Sequence, residues 1–152
     1  MTKKLYLEDL YVGQRLSSKS VTLDAPAMIR FARDNDPQFF HVDEEAAKDS
    51  MFGGLIGSGW QTAALTITLL LQSAEAPFAG GVVGADAHVA WKRPVRPGDS
   101  LRVETEITHI ERSPRRPDRG FVTIRANTFN QKDEIVQTMT STMVVFSDPA
   151  RA

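Results

Sequence analysis

The chain of 152 residues contains no cysteine, which removes disulfides, thiolate nucleophiles and cysteine-ligated zinc or iron–sulfur sites from consideration. Chemistry is left to His, Asp, Glu, Ser, Thr and Tyr. No charge of one sign predominates: 18 Lys and Arg stand against 19 Asp and Glu, a net charge of -1. Such a balance supplies no global field to attract a polyanion, so nucleic acid is not an expected partner. A long apolar run is also missing. The most apolar stretch, Ala63 to Leu71, falls far short of the ~20 residues that span a bilayer and carries Thr66 and Thr68. Glu8 and Asp9 interrupt the N-terminal region where a secretory signal would be hydrophobic. The expectation is a cytoplasmic protein with no membrane partner. No repeat, low-complexity tract or Pro/Gly/Ser linker divides the sequence, and one domain is expected over residues 1–152.

The order of elements is informative. Asp24 as an N-cap, Pro26 in the first turn and apolar residues at 25, 28, 29 and 32 predict an amphipathic helix that stops near Asn35, because Pro37 restricts the residue before it. Asp43 followed by Glu44 and Glu45 predicts a second, short helix with acids in its first turn. Ser58 caps a long helix from Gly59 to Ser73 whose surface is almost wholly apolar, which predicts burial on most sides. After Pro77 the pattern becomes period-two. Leu101, Val103, Thr105 and Ile107 alternate with Arg102, Glu104, Glu106 and Thr108, the pattern of a half-exposed antiparallel strand. Further strands are predicted over Val82 to Trp91, Phe121 to Asn130 and Ile135 to Phe146, with a hairpin turn at Asn130 to Glu134 and a first strand at Arg15 to Val21. The outcome is an α+β fold in which an antiparallel sheet wraps a long central helix, the outline of a hotdog fold.

Three histidines narrow the search for acid/base catalysis, since His titrates nearest neutrality. Asp36 precedes His41 by five residues, a spacing that on a continuous helix would set the side chains about 140° apart. Only a turn brings them together, and Pro37 makes a turn. Converging in an apolar surround, the pair could hold and activate a water; a turn-forming Asp-Pro and an unrelated histidine are the blander reading. Asp86 and His88 lie two apart on a predicted strand and could form an ion pair or half a metal site, but a third ligand is lacking and no metal site is expected. His109 falls in the apolar register of its strand and is expected to be packed. The helix start at Gly57-Ser58-Gly59 offers free N–H groups to a carbonyl oxygen gaining negative charge, or is an ordinary glycine turn. Arg112 to Arg119, and Lys92, Arg93 and Arg96, form basic segments that suit phosphates, with solvated surface charge the commoner explanation.

The stretch from Phe31 to Ala47, with Asp36, His41 and Asp43, followed by Phe52-Gly53-Gly54-Leu55-Ile56-Gly57-Ser58-Gly59, resembles the signature of MaoC-like dehydratases, the hotdog family that includes R-specific enoyl-CoA hydratases. Trp91 to Leu101, with Pro94, Pro97, Gly98 and Asp99, is similar to a further segment of that family. The resemblance implies Asp36 and His41 as the catalytic pair and Gly59 as the residue whose N–H polarises a thioester carbonyl. It implies substrate contacts from Gln38, Phe39, Phe52, Gly54, Ser58 and Trp60. The implied reaction is reversible hydration of a trans-2-enoyl-CoA to an (R)-3-hydroxyacyl-CoA, by a homodimer or dimer of dimers, with no cofactor beyond the acyl-CoA substrate and no metal. The family pattern has Gly where this chain has Asn35, Asn-Pro where it has Gln38-Phe39, and His where it has Ser58. Two alternatives share the fold. One is an acyl-CoA thioesterase, disfavoured because Gly59 to Ser73 holds no carboxylate; the other is a non-catalytic acyl-CoA-binding subunit.

Overall fold

The computed structural model describes residues 2–151. The first helix, α1 (Ala25–Asn35), starts where Asp24 Oδ1 accepts from the Ala27 N–H at 2.9 Å and has Pro26 in its first turn. The third, α3 (Glu44–Ala47), is capped by Asp43, whose Oδ1 accepts from Ala46 N–H at 3.0 Å. Between them the structure adds a single helical turn, α2 (Phe39–Val42), where no helix was expected. The long helix α4 runs from Gly59 to Ser73, with Ser58 accepting from the Trp60 N–H.

Six strands form one antiparallel sheet in the order β1-β4-β5-β6-β3, with β2 also on β4: β1 (Arg15–Ser17), β2 (Val21–Thr22), β3 (Val83–Trp91), β4 (Ser100–Arg112), β5 (Arg119–Phe129) and β6 (Ile135–Phe146). The single first strand expected over residues 15–21 is split. Ser17 pairs with Glu104 and Val21 with Leu101, so four steps on one strand match three on the other, and Ser18 fills the break by bonding both ways with Val103. The β5–β6 hairpin closes at Asn130, whose N–H donates to the Glu134 carbonyl, with Asp133 at φ 59.

One face of α4 presents Leu69 and Leu70 to Val103, Ile107, Val122, Ile124, Ala126 and Met139 of the sheet, which forms the main core. This is the hotdog arrangement expected from the alternating strands. Its other face is not covered by this chain. Trp60, Ile67 and Leu71 are exposed, and Trp60, Ala64 and Ile67 flank an apolar groove against the edge strand β3, so the helix is half-buried rather than enclosed.

Candidate active site

Asp36 is the C-cap of α1, its N–H donating to the Ala32 carbonyl at 2.8 Å. Pro37 follows and cannot continue the helix; the Gln38 N–H turns back to the Asp36 carbonyl at 2.8 Å, and the His41 N–H reaches the Gln38 carbonyl at 2.9 Å to open α2. This reversal brings His41 Nε2 to 3.2 Å from Asp36 Oδ2. His41 is buried, and its Nδ1 stands 2.8 Å from the Ile56 carbonyl oxygen. A carbonyl only accepts, so Nδ1 carries the proton and Nε2 is the nitrogen turned to the carboxylate. The Phe40 ring stacks edge-on against the imidazole at 4.6 Å and against Phe52 at 5.3 Å, giving the pair an apolar flank.

Asp36 is held by two further donors: Ser58 Oγ to Oδ2 at 2.7 Å and Gln38 Nε2 to Oδ1 at 2.8 Å. Burial acts to raise its pKa, but these hydrogen bonds, and the positive charge of His41 when it is protonated, outweigh it and hold the carboxyl below its ordinary range. The segment leading into α4 is pinned from both sides, by Ile56 N–H to the Phe40 carbonyl at 3.1 Å and Gly57 N–H to the Val95 carbonyl at 2.8 Å. Because the Ser58 cap serves Trp60, the N–H of Gly59 remains one of the helix-start donors without an internal acceptor.

A cavity of about 490 Å³ opens here, lined by Asp36, Gln38, His41, Phe52, Gly59 and Trp60 among the residues the sequence singled out. Three others lie elsewhere. Ser58 is fully buried behind Asp36, since its hydroxyl is taken by the carboxylate and the Trp60 N–H; it positions the acid rather than touching the cavity. Phe39 is half-exposed on α2, edge-on to Phe40, and Gly54 sits beside the Arg96 guanidinium. Unforeseen lining residues include Phe40, Thr62, Val136 and Trp91. The position of Trp91 at the end of a strand gave no periodic signal of its role.

The remaining histidines, Asp86 and the loop over residues 112–119 lie away from the cavity. His109 is exposed, not packed, because a bulge between Ile107 and His109 inverts the alternation of β4. Asp86 and His88 are exposed on the edge strand, and no group of three His, Asp or Glu able to hold a metal occurs among the described residues. Of the basic segments, Lys92 and Arg93 line the catalytic cavity, Arg93 paired with Glu134 at 3.1 Å, whereas Arg112 meets Glu8 at 3.1 Å and Arg119 meets Asp118 and the Phe146 ring away from it. Among the described residues no helix is long and apolar enough to cross a membrane.

Fold and site together define a hotdog protein with an Asp–His pair at the head of its central helix. The MaoC-like domain family matches residues 10–130, and the chain belongs to that family. The MaoC-like dehydratase from Rhodospirillum rubrum is similar at 50% identity with a TM-score of 0.89, covering 95% of this chain and 99% of that one. The (R)-hydratase from A. caviae involved in PHA biosynthesis is similar at 26% identity and a TM-score of 0.73, over 90% of this chain and 97% of that one. The uncharacterized protein YdeM of Bacillus subtilis (strain 168) is 34% identical over 129 residues, 84% of this chain and 89% of the relative. Family membership supports hydratase or dehydratase activity.

Proposed function

We propose that the protein reversibly hydrates a trans-2-enoyl-CoA to an (R)-3-hydroxyacyl-CoA. The observation that carries this reading is the 3.2 Å approach of Asp36 and His41 on the wall of a cavity that also contains Gly59. With its proton on Nδ1, His41 offers the Nε2 lone pair beside the Asp36 carboxylate, so a water seated against both from the cavity can donate to each. Its oxygen attacks C3 of the enoyl group as Nε2 takes one proton. The electron pair of the C2–C3 double bond moves through C2 to the thioester oxygen, which receives the Gly59 N–H. Collapse of that enolate takes the proton from Nε2 to C2. The water has then been added in full, and the pair returns to its starting state.

Asp36 stays anionic throughout, which suits the lowered pKa: it orients the water and stabilises the transient imidazolium. The stereochemistry, the CoA carrier and the homodimeric state extend the resemblance of the sequence and belong to this proposal. The test is loss of the conjugated enoyl-thioester absorbance on adding protein to crotonyl-CoA and to a longer enoyl-CoA, with His41→Ala in parallel. Loss with the parent protein and none with the variant supports the reading. Release of free thiol instead would point to a thioesterase, and binding without turnover to a non-catalytic subunit.

A further inference from the structure

Trp91, at the end of β3, contacts Gly59 in two ways. Its Nε1–H donates to the Gly59 carbonyl at 2.9 Å, and its indole lies so close to the Gly59 Cα that a Cβ there would stand 2.4 Å from the ring. The same Nε1–H reaches Gln137 Oε1 on β6 at 3.0 Å. Gln137 is fully buried, and its Nε2 donates to Thr66 Oγ1 at 3.0 Å. Thr66 gives its one hydroxyl proton to the Thr62 carbonyl at 2.8 Å, so the contact with Thr128 Oγ1 at 2.7 Å is donated by Thr128. Every orientation in this chain follows. Indole N–H only donates, which sets Oε1 toward Trp91, and Thr66, its proton committed, requires the amide nitrogen on the other side. The buried polar groups of Gln137, Thr66 and Thr128 are mutually satisfied and admit a single arrangement.

Resting on the hydratase reading above, we infer that Trp91 is a positioning residue for the oxyanion donor: the buried relay Thr128–Thr66–Gln137 sets the indole, and the indole sets the Gly59 N–H against the thioester carbonyl. The physical need is clear. Gly59 is the first residue of α4 and lacks a side chain that could anchor it, and a donor contributes to an enolate-like transition state only when its direction is fixed before the charge develops. The sheet supplies that rigidity to the helix terminus through one indole. Ser58, the neighbouring cap, holds Asp36 by its hydroxyl, so the two halves of the site are set by adjacent residues with separate tethers.

Trp91→Phe keeps a ring over Gly59 and removes the N–H. It is expected to lower kcat about 10-fold with KM within about threefold, since a displaced donor acts on the transition state more than on binding. Gln137→Leu, which leaves Trp91 its bond to Gly59, is expected to lower kcat less. A purely structural role would not move the second readout. In the Asp36→Asn background, whose slowed turnover leaves the bound ester intact while the spectrum is taken, bound 2,4-hexadienoyl-CoA shifts its absorbance to longer wavelength when its carbonyl is polarised. Adding Trp91→Phe should shrink that shift while circular dichroism and melting temperature stay close to those of the Asp36→Asn protein. An unchanged shift together with unchanged kcat in the folded Trp91→Phe proteins overturns the inference. Failure of the parent to hydrate any enoyl-CoA overturns the hydratase reading and the inference with it, a result distinct from an active parent indifferent to Trp91.

Discussion

His41 hangs from the carbonyl of Ile56: Nδ1 donates across 2.8 Å to an oxygen on the strap that leads into α4, and this one bond decides which imidazole nitrogen faces Asp36. The aromatic contact with Phe40 and near-complete burial leave the ring no other orientation of comparable satisfaction. The strap leading into α4 thus holds both groups, the imidazole through the Ile56 carbonyl and the carboxylate through Ser58, while Gln38 holds the other carboxylate oxygen.

If Asp36 and His41 act on one water, their losses will not add. Asp36→Asn and His41→Ala are each expected to lower kcat for enoyl-CoA hydration about 10²- to 10⁴-fold, and the double variant to be no slower than the slower single. Steady-state kinetics on the three proteins decides it. A double variant slower by the product of both factors would mean that the two groups act independently of one another.

The pH dependence has a definite sign. Asp36 is held below the ordinary carboxylate range, so its charge, and the native-state stability that comes from its pairing, is present above the unfolded value and is lost only as the pH falls through the lowered native value. Removing a donor reverses part of that shift. Ser58→Ala should therefore move the acid limb of the stability-versus-pH profile to higher pH, and Gln38→Ala should do the same through the other oxygen. Ser58→Ala also loses a helix cap, at about 1 kcal/mol of stability, which thermal melting will report separately. An acid limb that stays in place in both variants would show that a different group controls it.

What could be read from the sequence was set by local chemistry. Asp24 and Ser58 mark helix starts because their side chains satisfy backbone donors two or three residues away, and the start of α4 follows to the residue. Asp36 and His41 were legible as a pair because Pro37 between them forces the turn that joins them. The rest depends on partners distant in the chain. The exposure of His109 comes from a bulge in the pairing of β4 with β5, which composition does not encode. Trp91 and Gln137 are 46 residues apart on neighbouring strands, and nothing in either segment alone points to the other. The family resemblance puts Ser58 near the substrate; its inward direction follows only from the carboxylate that waits behind it.

Gly59 tolerates no side chain. A Cβ would lie 2.4 to 2.8 Å from three atoms of the Trp91 ring, whose Nε1–H is already tied to the Gly59 carbonyl and Gln137. Gly59→Ala must therefore displace the indole and break those bonds. The expected cost is about 1–3 kcal/mol, as for other overpacking substitutions, together with a fall in kcat larger than that of Trp91→Phe. Denaturant unfolding and steady-state kinetics on the same preparation test both; a Gly59→Ala protein as stable and as active as the parent would mean that the indole moves freely.

The uncovered side of α4 predicts the assembly. Trp60, Ile67 and Leu71 are exposed on the helix, Val83 is exposed on β3, and a groove of about 530 Å³ with Ala64 and Ala87 on its walls runs between them. Strand β3 ends the sheet with its outer backbone groups unpaired, and natural sheets shield such edges, most simply by pairing them with a second strand. A homodimer in which β3 meets β3 of a second copy would shield both features at once, extend the sheet and cover Trp60, which also lines the catalytic cavity. The expected species in sedimentation velocity at low micromolar concentration is twice the 16.8 kDa of the chain, or a multiple of it. Ala87→Lys, placing a charge in the groove, should dissociate it while circular dichroism stays unchanged. Because Trp60 belongs to both surfaces, the dissociated protein should also lose hydration activity through a higher KM, and a fully active monomer would show that the cavity is complete within one chain.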